Sequence, residues 1–229
     1  MDPGKKGRIC MRVLDFTHRI EPDMPVYPGT EPPRLSPANT YEKDGFRETL
    51  LTLYSHTGTH MDAPAHLFAC QPTLDALPAA QFVGPALVVD CADASAGAVL
   101  TMERLEPVRQ LADRAAFLLI RTGWDRFWGT PDYYGDYPVI GPDVVEYLIG
   151  SGKQGIGLDT IGVDAIYNET LPIHQKLLGT GRMVVIENLT GLDRAGGGLF
   201  TFCALPLHFC NADGAPVRAV GLLDGPQVP

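Results

Sequence analysis

Apolar residues along the chain occur in short uninterrupted runs, separated by glycine, proline and acidic residues. Runs of this kind are typical of strands that are buried on both faces. Two of them flank a segment whose apolar residues recur at helical spacing, and a second helix and strand follow, which predicts two successive strand-helix-strand units. The predicted strands span residues 9–15, 49–55, 85–90, 116–122, 154–159, 182–188, 199–205 and 217–223, and the predicted helices span residues 101–112, 141–149 and 171–178.

Two stretches interrupt this alternation. Residues 21–37 carry six prolines and a glycine, which predicts a long ordered loop or an arm without regular structure. Residues 129–138 are rich in tyrosine, aspartate and glycine, and we expect a surface excursion there. Because strands come first, alternating units next and strands last, the order predicts an α/β fold with a mixed β-sheet flanked by helices.

The length of 229 residues exceeds that of one average domain but is short for two. No stretch rich in proline, glycine or serine and no charge run divides the sequence. We therefore expect a flexible N-terminal tail over residues 1–8 and a single domain over residues 9–229.

The formal net charge is −9, and no cluster of Lys and Arg occurs beyond residues 5–8. Nucleic acid is therefore an unexpected partner. No apolar segment approaches the roughly 18 residues that a membrane span needs, and no signal-peptide core follows the basic N-terminus. Five cysteines without a CxxC pair suit reduced, buried thiols. Together these features predict a soluble, cytoplasmic protein without a membrane partner.

Side chains that can bind a metal are most concentrated in residues 56–66, which contain His56, His60, Asp62 and His66. Imidazole and carboxylate are the nitrogen and oxygen donors that zinc or manganese takes. One histidine alone would more often be a structural residue in the core, but this many donors at this spacing indicate a metal site.

Backbone geometry favours a strand for this cluster. In an extended chain, His56, Gly58, His60 and Asp62 share one face, because alternate residues point the same way. A helix would place Asp62 roughly 240° away from His56, at about 3.6 residues per turn. We therefore predict that a buried strand over residues 49–55 continues into the ligands and stops at Pro64, with the site at its C-terminal end.

A centre with two metals needs further donors, and His174 and Glu187 are the candidates. His174 lies near the start of a predicted helix, and Glu187 ends an apolar strand, where a buried carboxylate is costly unless it is paired or binds a metal. The alternatives are a solvated helix histidine and a strand-end carboxylate paired with Arg182.

These residues carry a resemblance to a known family. The signature HxGTHxDxPxH stands complete over residues 56–66, and the chain resembles the cyclase-like metal-dependent hydrolases, a family that includes the bacterial kynurenine formamidases. Weaker similarity extends over roughly residues 13–222. It is carried by residues 13–18, 25–29, 83–90, 155–159, 186–189, 204–207 and 213–218.

The resemblance implies a swivelling β/α/β fold of the cyclase type, two divalent cations per subunit and a homodimer or homotetramer. By position, it implies that His56, His60 and Asp62 bind one cation, that Asp62 bridges to a second, and that His174 and Glu187 complete the pair. Zinc is the first expectation for the cations, and manganese is the alternative.

The resemblance also makes His66 the general acid/base. Two cations can share a hydroxide, lower its pKa and polarise a carbonyl, which is the help that amide hydrolysis needs. An imidazole that titrates near pH 6.5 can then pass a proton to the leaving nitrogen. A further metal ligand is the alternative role for His66.

The expected substrate is a small-molecule amide, first of all an aryl formamide such as N-formylkynurenine. Tyr27 matches the position at which kynurenine formamidases of the family carry a stacking Trp, and a tyrosine can also stack on an aromatic amine. Three alternatives stay open: opening of a cyclic amide, as in the related isatin hydrolases; a metal-binding protein without turnover; and a cysteine hydrolase that uses Cys70 with His66.

Overall fold

A computed structural model of the chain describes residues 11–224. Within them the strands are β1 (Met11–Asp15), β2 (Arg34–Asn39), β3 (Glu48–Thr52), β4 (His60–Asp62), β5 (Val83–Asp90), β6 (Val99–Leu100), β7 (Phe117–Arg121), β8 (Val139–Ile140), β9 (Gly155–Leu158), β10 (Val184–Glu187), β11 (Phe200–Pro206) and β12 (Gly214–Asp224). The α-helices are α1 (Tyr41–Asp44), α2 (Arg109–Arg114), α3 (Pro142–Gly150) and α4 (Pro172–Leu178). Short 3₁₀ turns span Pro64–His66, Leu74–Ala76, Ala79–Phe82, Met102–Arg104, Glu106–Val108, Trp124–Phe127, Pro131–Tyr134 and Leu192–Ala195.

Eight strands form a mixed sheet in the order β1-β12-β11-β5-β7-β9-β10-β4. The neighbours from β5 to β10 are parallel, and the other pairings are antiparallel. β4 pairs with β12 as well as with β10, so the sheet closes on itself like a barrel, with β1 attached outside to β12. The α/β prediction with a mixed sheet flanked by helices is confirmed, whereas the closure was not predicted.

Strand β7 explains why the parallel strands read as continuous apolar runs. Phe117 and Leu119 pack into one core cluster, together with residues from β4, β10 and β11. Leu118 and Ile120 pack into a second cluster, against α3 and α4. Because each strand is covered on both faces, every position is apolar and alternation disappears. Both predicted strand-helix-strand units are confirmed by the parallel pairings of β5 with β7 and of β7 with β9.

The prediction of a buried strand over residues 49–55 is wrong. β3 covers Glu48–Thr52, and all five of its residues are exposed. Within the part of the chain that the structure describes, it pairs with β2 alone, in a two-stranded hairpin. The prediction that residues 21–37 lack regular structure is also wrong at its end, because β2 includes Pro37. Proline is tolerated there since each strand of a two-stranded ribbon is an edge, and the register shifts next to Pro37.

Two further predictions need correction. The predicted helix over residues 101–112 is instead two 3₁₀ turns followed by α2, because Pro107 lacks the N–H that a continuous helix requires. The predicted surface excursion over residues 129–138 contains Tyr133 and Tyr137, which are buried in a small aromatic cluster with Trp124. Tyrosine rings carry enough apolar surface to form a core of their own beside the sheet.

The predicted burial of the cysteines holds only in part. Cys91 is buried and Cys203 is half-buried, but Cys70 and Cys210 are exposed. Cys10, the predicted tail over residues 1–8 and the first two residues of the first predicted strand lie outside the described residues. Among residues 11–224, no helix combines the length and the apolar character that crossing a membrane requires.

Candidate metal centre

The centre of the site is the pairing of two short strands. β4 and β10 run antiparallel, and their register places His60 opposite Glu187. His60 and Asp62 lie two residues apart in β4, so both side chains point to one face. His60 Nε2 lies 3.4 Å from Asp62 Oδ1 and 3.5 Å from Glu187 Oε2. All three residues are buried, so this pairing brings two carboxylates and an imidazole together away from water.

His56 reaches the same group from a loop. The prediction that one strand carries His56, Gly58 and the ligands after them is wrong, because Gly58 adopts a φ of 65° and β4 begins only at His60. This left-handed turn, which glycine adopts without strain, folds His56 back over the strand. His56 Nδ1 lies 2.6 Å from Asp62 Oδ1. His56 and Asp62 therefore come together because of the turn at Gly58, and not because they share one face of a strand.

His174 enters from the opposite side, on the first turns of α4. Its Nε2 lies 3.0 Å from Glu187 Oε1 and 3.4 Å from Asp62 Oδ2. The two oxygens of Asp62 thus face different histidines, with His56 and His60 on Oδ1 and His174 on Oδ2. Ligand atoms of His56, His60 and Asp62 lie within 4.8 Å of one another, and so do those of Asp62, His174 and Glu187.

This donor set fits a divalent metal ion. Two carboxylates whose residues are only 1% and 5% exposed face three imidazoles, and a buried carboxylate is costly without a compensating cation. Nitrogen and oxygen donors in this ratio suit zinc and manganese. The alternative partner for Glu187 fails, because Arg182 donates to the carbonyl of Ile149 instead.

Interactions within the site shift the pKa values of Asp62 and His174 in opposite directions. Burial by itself raises the pKa of Asp62, but the charge and hydrogen bond of His56, with hydrogen bonds from His174 and His60, bring that pKa well below its usual range. Burial lowers the pKa of His174, and hydrogen bonds to Asp164, Asp62 and Glu187 overcome it and raise the pKa well above its usual range. Without a bound cation, protons on His56 and His174, whose pKa values are both raised, therefore balance the carboxylates.

A second layer of acceptors holds the outer nitrogens of the histidines. His174 Nδ1 lies 2.7 Å from Asp164 Oδ2, and His56 Nε2 lies 3.1 Å from Asp213 Oδ2. Such carboxylate-histidine pairs orient the ring and leave its other nitrogen for a metal. Neither aspartate was predicted from the sequence. Asp213 lies inside the family block 213–218, which is a weak signal, and no local pattern marks Asp164.

His66 lies beside the five candidate ligands, which are His56, His60, Asp62, His174 and Glu187. It ends the 3₁₀ turn Pro64–His66, and its ring centroid lies 4.0 Å from that of His56 and 6.4 Å from that of His174. Among the described residues, no hydrogen bond uses a ring nitrogen of His66, and burial lowers its pKa. Its ring also lies within 4.8 Å of donor atoms of His56 and Asp213, so the geometry permits a ligand role too.

A cavity of about 450 Å³ opens onto this group. Pro25, Val26, Ile161 and Leu171 give it apolar walls, and the predicted substrate-binding Tyr27, which is 40% exposed, lines it as well. Within residues 11–224, Glu169 is the only charged lining side chain outside the donor cluster and Asp164. Neither Lys nor Arg lines this cavity among the residues described.

The other histidines of the chain lie outside this cluster. The ring of His18 stacks on Trp128, with ring centroids 3.8 Å apart. His208 and Cys70 are exposed, and neither lines the cavity. The hydroxyl of Thr59, next to His60, donates to the carbonyl of Asn188.

Comparisons with known proteins agree with this architecture. A family model described as "Putative cyclase" matches residues 14–165. A kynurenine formamidase from Salinibacter ruber is 36% identical over 223 residues, which covers 95% of this chain and 100% of the relative.

Solved structures extend the similarity. Isatin hydrolase A from Labrenzia aggregata superposes with a TM-score of 0.84 at 27% identity, covering 94% of each chain. A potential metal-dependent hydrolase with cyclase activity superposes with a TM-score of 0.76 at 25% identity, covering 93% of this chain and 100% of the other.

Proposed function

The chain belongs to the Cyclase family, whose matched relatives are hydrolases, and on that premise we propose that it is a metal-dependent amidohydrolase. The observation that carries the proposal is the pair of donor triads that share Asp62 at a largely apolar cavity. Its preferred substrate class is an aryl formamide such as N-formylkynurenine, in keeping with the name of the relative from Salinibacter ruber.

We propose that the two triads hold two cations. His56, His60 and Asp62 would hold one, and Asp62, His174 and Glu187 would hold the other, with zinc first and manganese second. A divalent cation supplies charge that polarises a carbonyl and lowers the pKa of a water molecule. Asp213 and Asp164 keep the rings of His56 and His174 turned so that each offers one nitrogen to the centre.

In this proposal, His66 transfers the protons. Its ring lines the cavity beside His56, and none of residues 11–224 forms a hydrogen bond with its ring nitrogens. A free ring nitrogen can take a proton from the attacking water and deliver it to the nitrogen of the leaving aryl amine. The apolar walls limit the number of competing waters, and the ring of Tyr27 can stack on the aryl group.

A cyclic amide is the second candidate substrate, because of the superposition on isatin hydrolase A. Ring opening needs no space for a departing amine, whereas a formamide releases one. Zn²⁺-loaded protein assayed on N-formylkynurenine, formanilide and isatin separates these candidates. Turnover of the formamides alone supports the proposal, turnover of isatin alone favours the second candidate, and no turnover of any of the three favours a metal-binding protein.

The role of His66 has its own test. His66→Ala should keep the zinc content of the wild type and lose about 10²–10⁴-fold in kcat, the usual contribution of general acid/base catalysis. His208→Ala, at an exposed histidine outside the cavity, is the matched control and should behave as the wild type. Loss of zinc from His66→Ala would make His66 a ligand. Cys70→Ser should be fully active; an inactive variant would restore the cysteine-hydrolase alternative.

We also propose that the protein forms a homodimer or homotetramer. The support is the hairpin of β2 and β3 with its connecting loop, which exposes large apolar side chains that nothing in residues 11–224 covers. They are Leu35, Tyr41, Phe46, Leu50 and Leu51. Light scattering coupled to size-exclusion chromatography tests this directly, and a mass near 24.8 kDa would refute it.

A further inference from the structure

Asn188 follows Glu187 directly and has an unusual conformation. It is 4% exposed and has a φ of 56°, in the left-handed region that asparagine adopts more readily than most residues. Its backbone N–H donates to the carbonyl of Thr160, and its carbonyl accepts the hydroxyl of Thr59 at 2.5 Å. The end of β10 is therefore attached to the segment that leads into β4.

The side chain of Asn188 extends this attachment to the metal centre. Asn188 Nδ2 donates to the carbonyl of Gly58 at 2.9 Å, and the hydroxyl of Tyr133 donates to Asn188 Oδ1 at 2.6 Å. The same carbonyl of Gly58 lies 2.8 Å from His60 Nδ1. One carbonyl thus receives the asparagine amide and the imidazole together.

The chemistry of these groups determines which partner carries the proton in each of these three hydrogen bonds. A carbonyl can only accept, so Asn188 must turn its NH₂ group towards Gly58 and its oxygen towards Tyr133, and the phenol must donate. For the same reason His60 must carry its proton on Nδ1. In the neutral ring that a metal ligand requires, Nε2 is then left with a lone pair, and this is the atom that lies 3.4 Å from Asp62 and 3.5 Å from Glu187.

We infer that Asn188 is a positioning residue for His60: its amide, oriented by Tyr133, holds the carbonyl of Gly58 where it fixes the ring and the tautomer of His60. His56 and His174 are oriented by carboxylates, whereas the third histidine is oriented by a backbone carbonyl that needs its own support. That support is required because Gly58 lies in a left-handed turn outside the β4 ladder. The inference rests on the proposed role of His60 as a metal ligand.

Asn188→Asp is the most direct test. Aspartate is nearly isosteric, tolerates the left-handed conformation and still accepts from Tyr133, but it presents an oxygen where the amide donated. Two acceptors then face each other at Gly58. The added negative charge by itself would favour a cation, so a weaker affinity cannot come from charge. We expect Zn²⁺ affinity, measured by competition with a chromophoric chelator, to fall by about 10–100-fold.

The spectroscopic signature is the tautomer of His60. In Zn²⁺-loaded protein labelled with ¹⁵N-histidine, the wild type should show the Nδ1–H of His60 protected from solvent exchange, beside that of His174, which faces Asp164. Asn188→Asp should lose the protection at His60 and keep that at His174. Tyr133→Phe keeps the amide but frees its orientation, so a smaller loss of affinity is expected. Asn211→Asp is the matched control, because Asn211 is exposed, has a φ of 57° and does not line the cavity.

The outcomes separate the inference from the function. A wild type that binds neither Zn²⁺ nor Mn²⁺ refutes the proposed function and this role together. A wild type that binds Zn²⁺, with Asn188→Asp unchanged in affinity and in the His60 signal, overturns the inference alone. A lower melting temperature with unchanged affinity and signal also overturns it, since that is what a merely structural residue would give. If Asn188→Asp does not fold, Tyr133→Phe decides: wild-type affinity and protection would overturn the inference.

Discussion

Adding one methyl group at Gly214 should disable the centre without straining the backbone. Gly214 lies in β12, opposite Asp62, and its φ is outside the left-handed region, so alanine fits the local conformation. A Cβ at this position would lie 2.4 Å from His56 Cε1, 2.7 Å from its Nε2 and 2.9 Å from its Nδ1. The three atoms nearest to that Cβ therefore all belong to the imidazole of His56, a candidate metal ligand.

The size of the effect follows from these distances. Ordinary contacts begin near 3.4 Å, so the ring must retreat by about 1 Å. It is held by Asp62 at 2.6 Å and by Asp213 at 3.1 Å, and a movement of that size lengthens one or both contacts beyond hydrogen-bond range. A displacement of about 1 Å can cost a catalytic site about 10²-fold, and disturbed ligand support costs about 10–100-fold in metal affinity.

The assay compares Gly214→Ala with Gly198→Ala. No atom lies within 4 Å of a Cβ at Gly198, and its φ is also ordinary, so this control should keep wild-type activity. We expect Gly214→Ala alone to lose about 10²-fold in kcat/KM on formanilide and at least about 10-fold in Zn²⁺ affinity. A Gly214→Ala variant with unchanged activity and affinity would show that the ring of His56 is not held where the structure places it.

Three other predictions concern pH, specificity and stability. Burial lowers the pKa of His18 to about 4, so the unfolded chain takes up a proton below pH 6.5 before the folded protein does. The free energy of unfolding should therefore fall between pH 6.5 and pH 4 by at most about 3 kcal/mol. His18→Phe keeps the stack on Trp128 and should remove this slope from urea unfolding of the metal-free protein; an equal slope in both proteins contradicts the assignment. Glu169→Gln should lower kcat/KM by about 5-fold or less for an aryl formamide with an ammonium group, and leave neutral formanilide unchanged; equal effects on both would exclude charge recognition. Lys153→Met leaves the carbonyls at the end of α2, Ala115 among them, without their donor; we expect a loss of about 1–3 kcal/mol in unfolding free energy with kcat intact, and unchanged stability would contradict it.

The strands of the barrel show what a local pattern can reveal. Apolar runs identified β5, β7, β9 and β10, because strands covered on both faces need apolar residues at every position. The same rule misplaced residues 49–55, whose run is also apolar. Whether such a run enters the sheet depends on partners that lie elsewhere in the chain, and among residues 11–224 β3 pairs with β2 alone.

The candidate metal centre likewise combines features that local sequence determines with features that only the fold determines. Sequence by itself determined the donor types, the pairing of His60 with Asp62 on one strand face and the candidacy of His174 and Glu187, because residue chemistry and strand parity are local properties. Only the tertiary structure decided the closure of the sheet through β4 and β12, and the turn at Gly58 that returns His56 to the site.

The acceptors behind the ligands also belong to the tertiary structure. Asp213 meets His56 across 157 positions of sequence, and Asn188 meets Gly58 across 130. Contacts at such separations depend on how the barrel closes, and no spacing rule within one strand or helix encodes them. The candidate ligands could therefore be named from the sequence, whereas the groups that orient them could be recognised as such only in the folded chain.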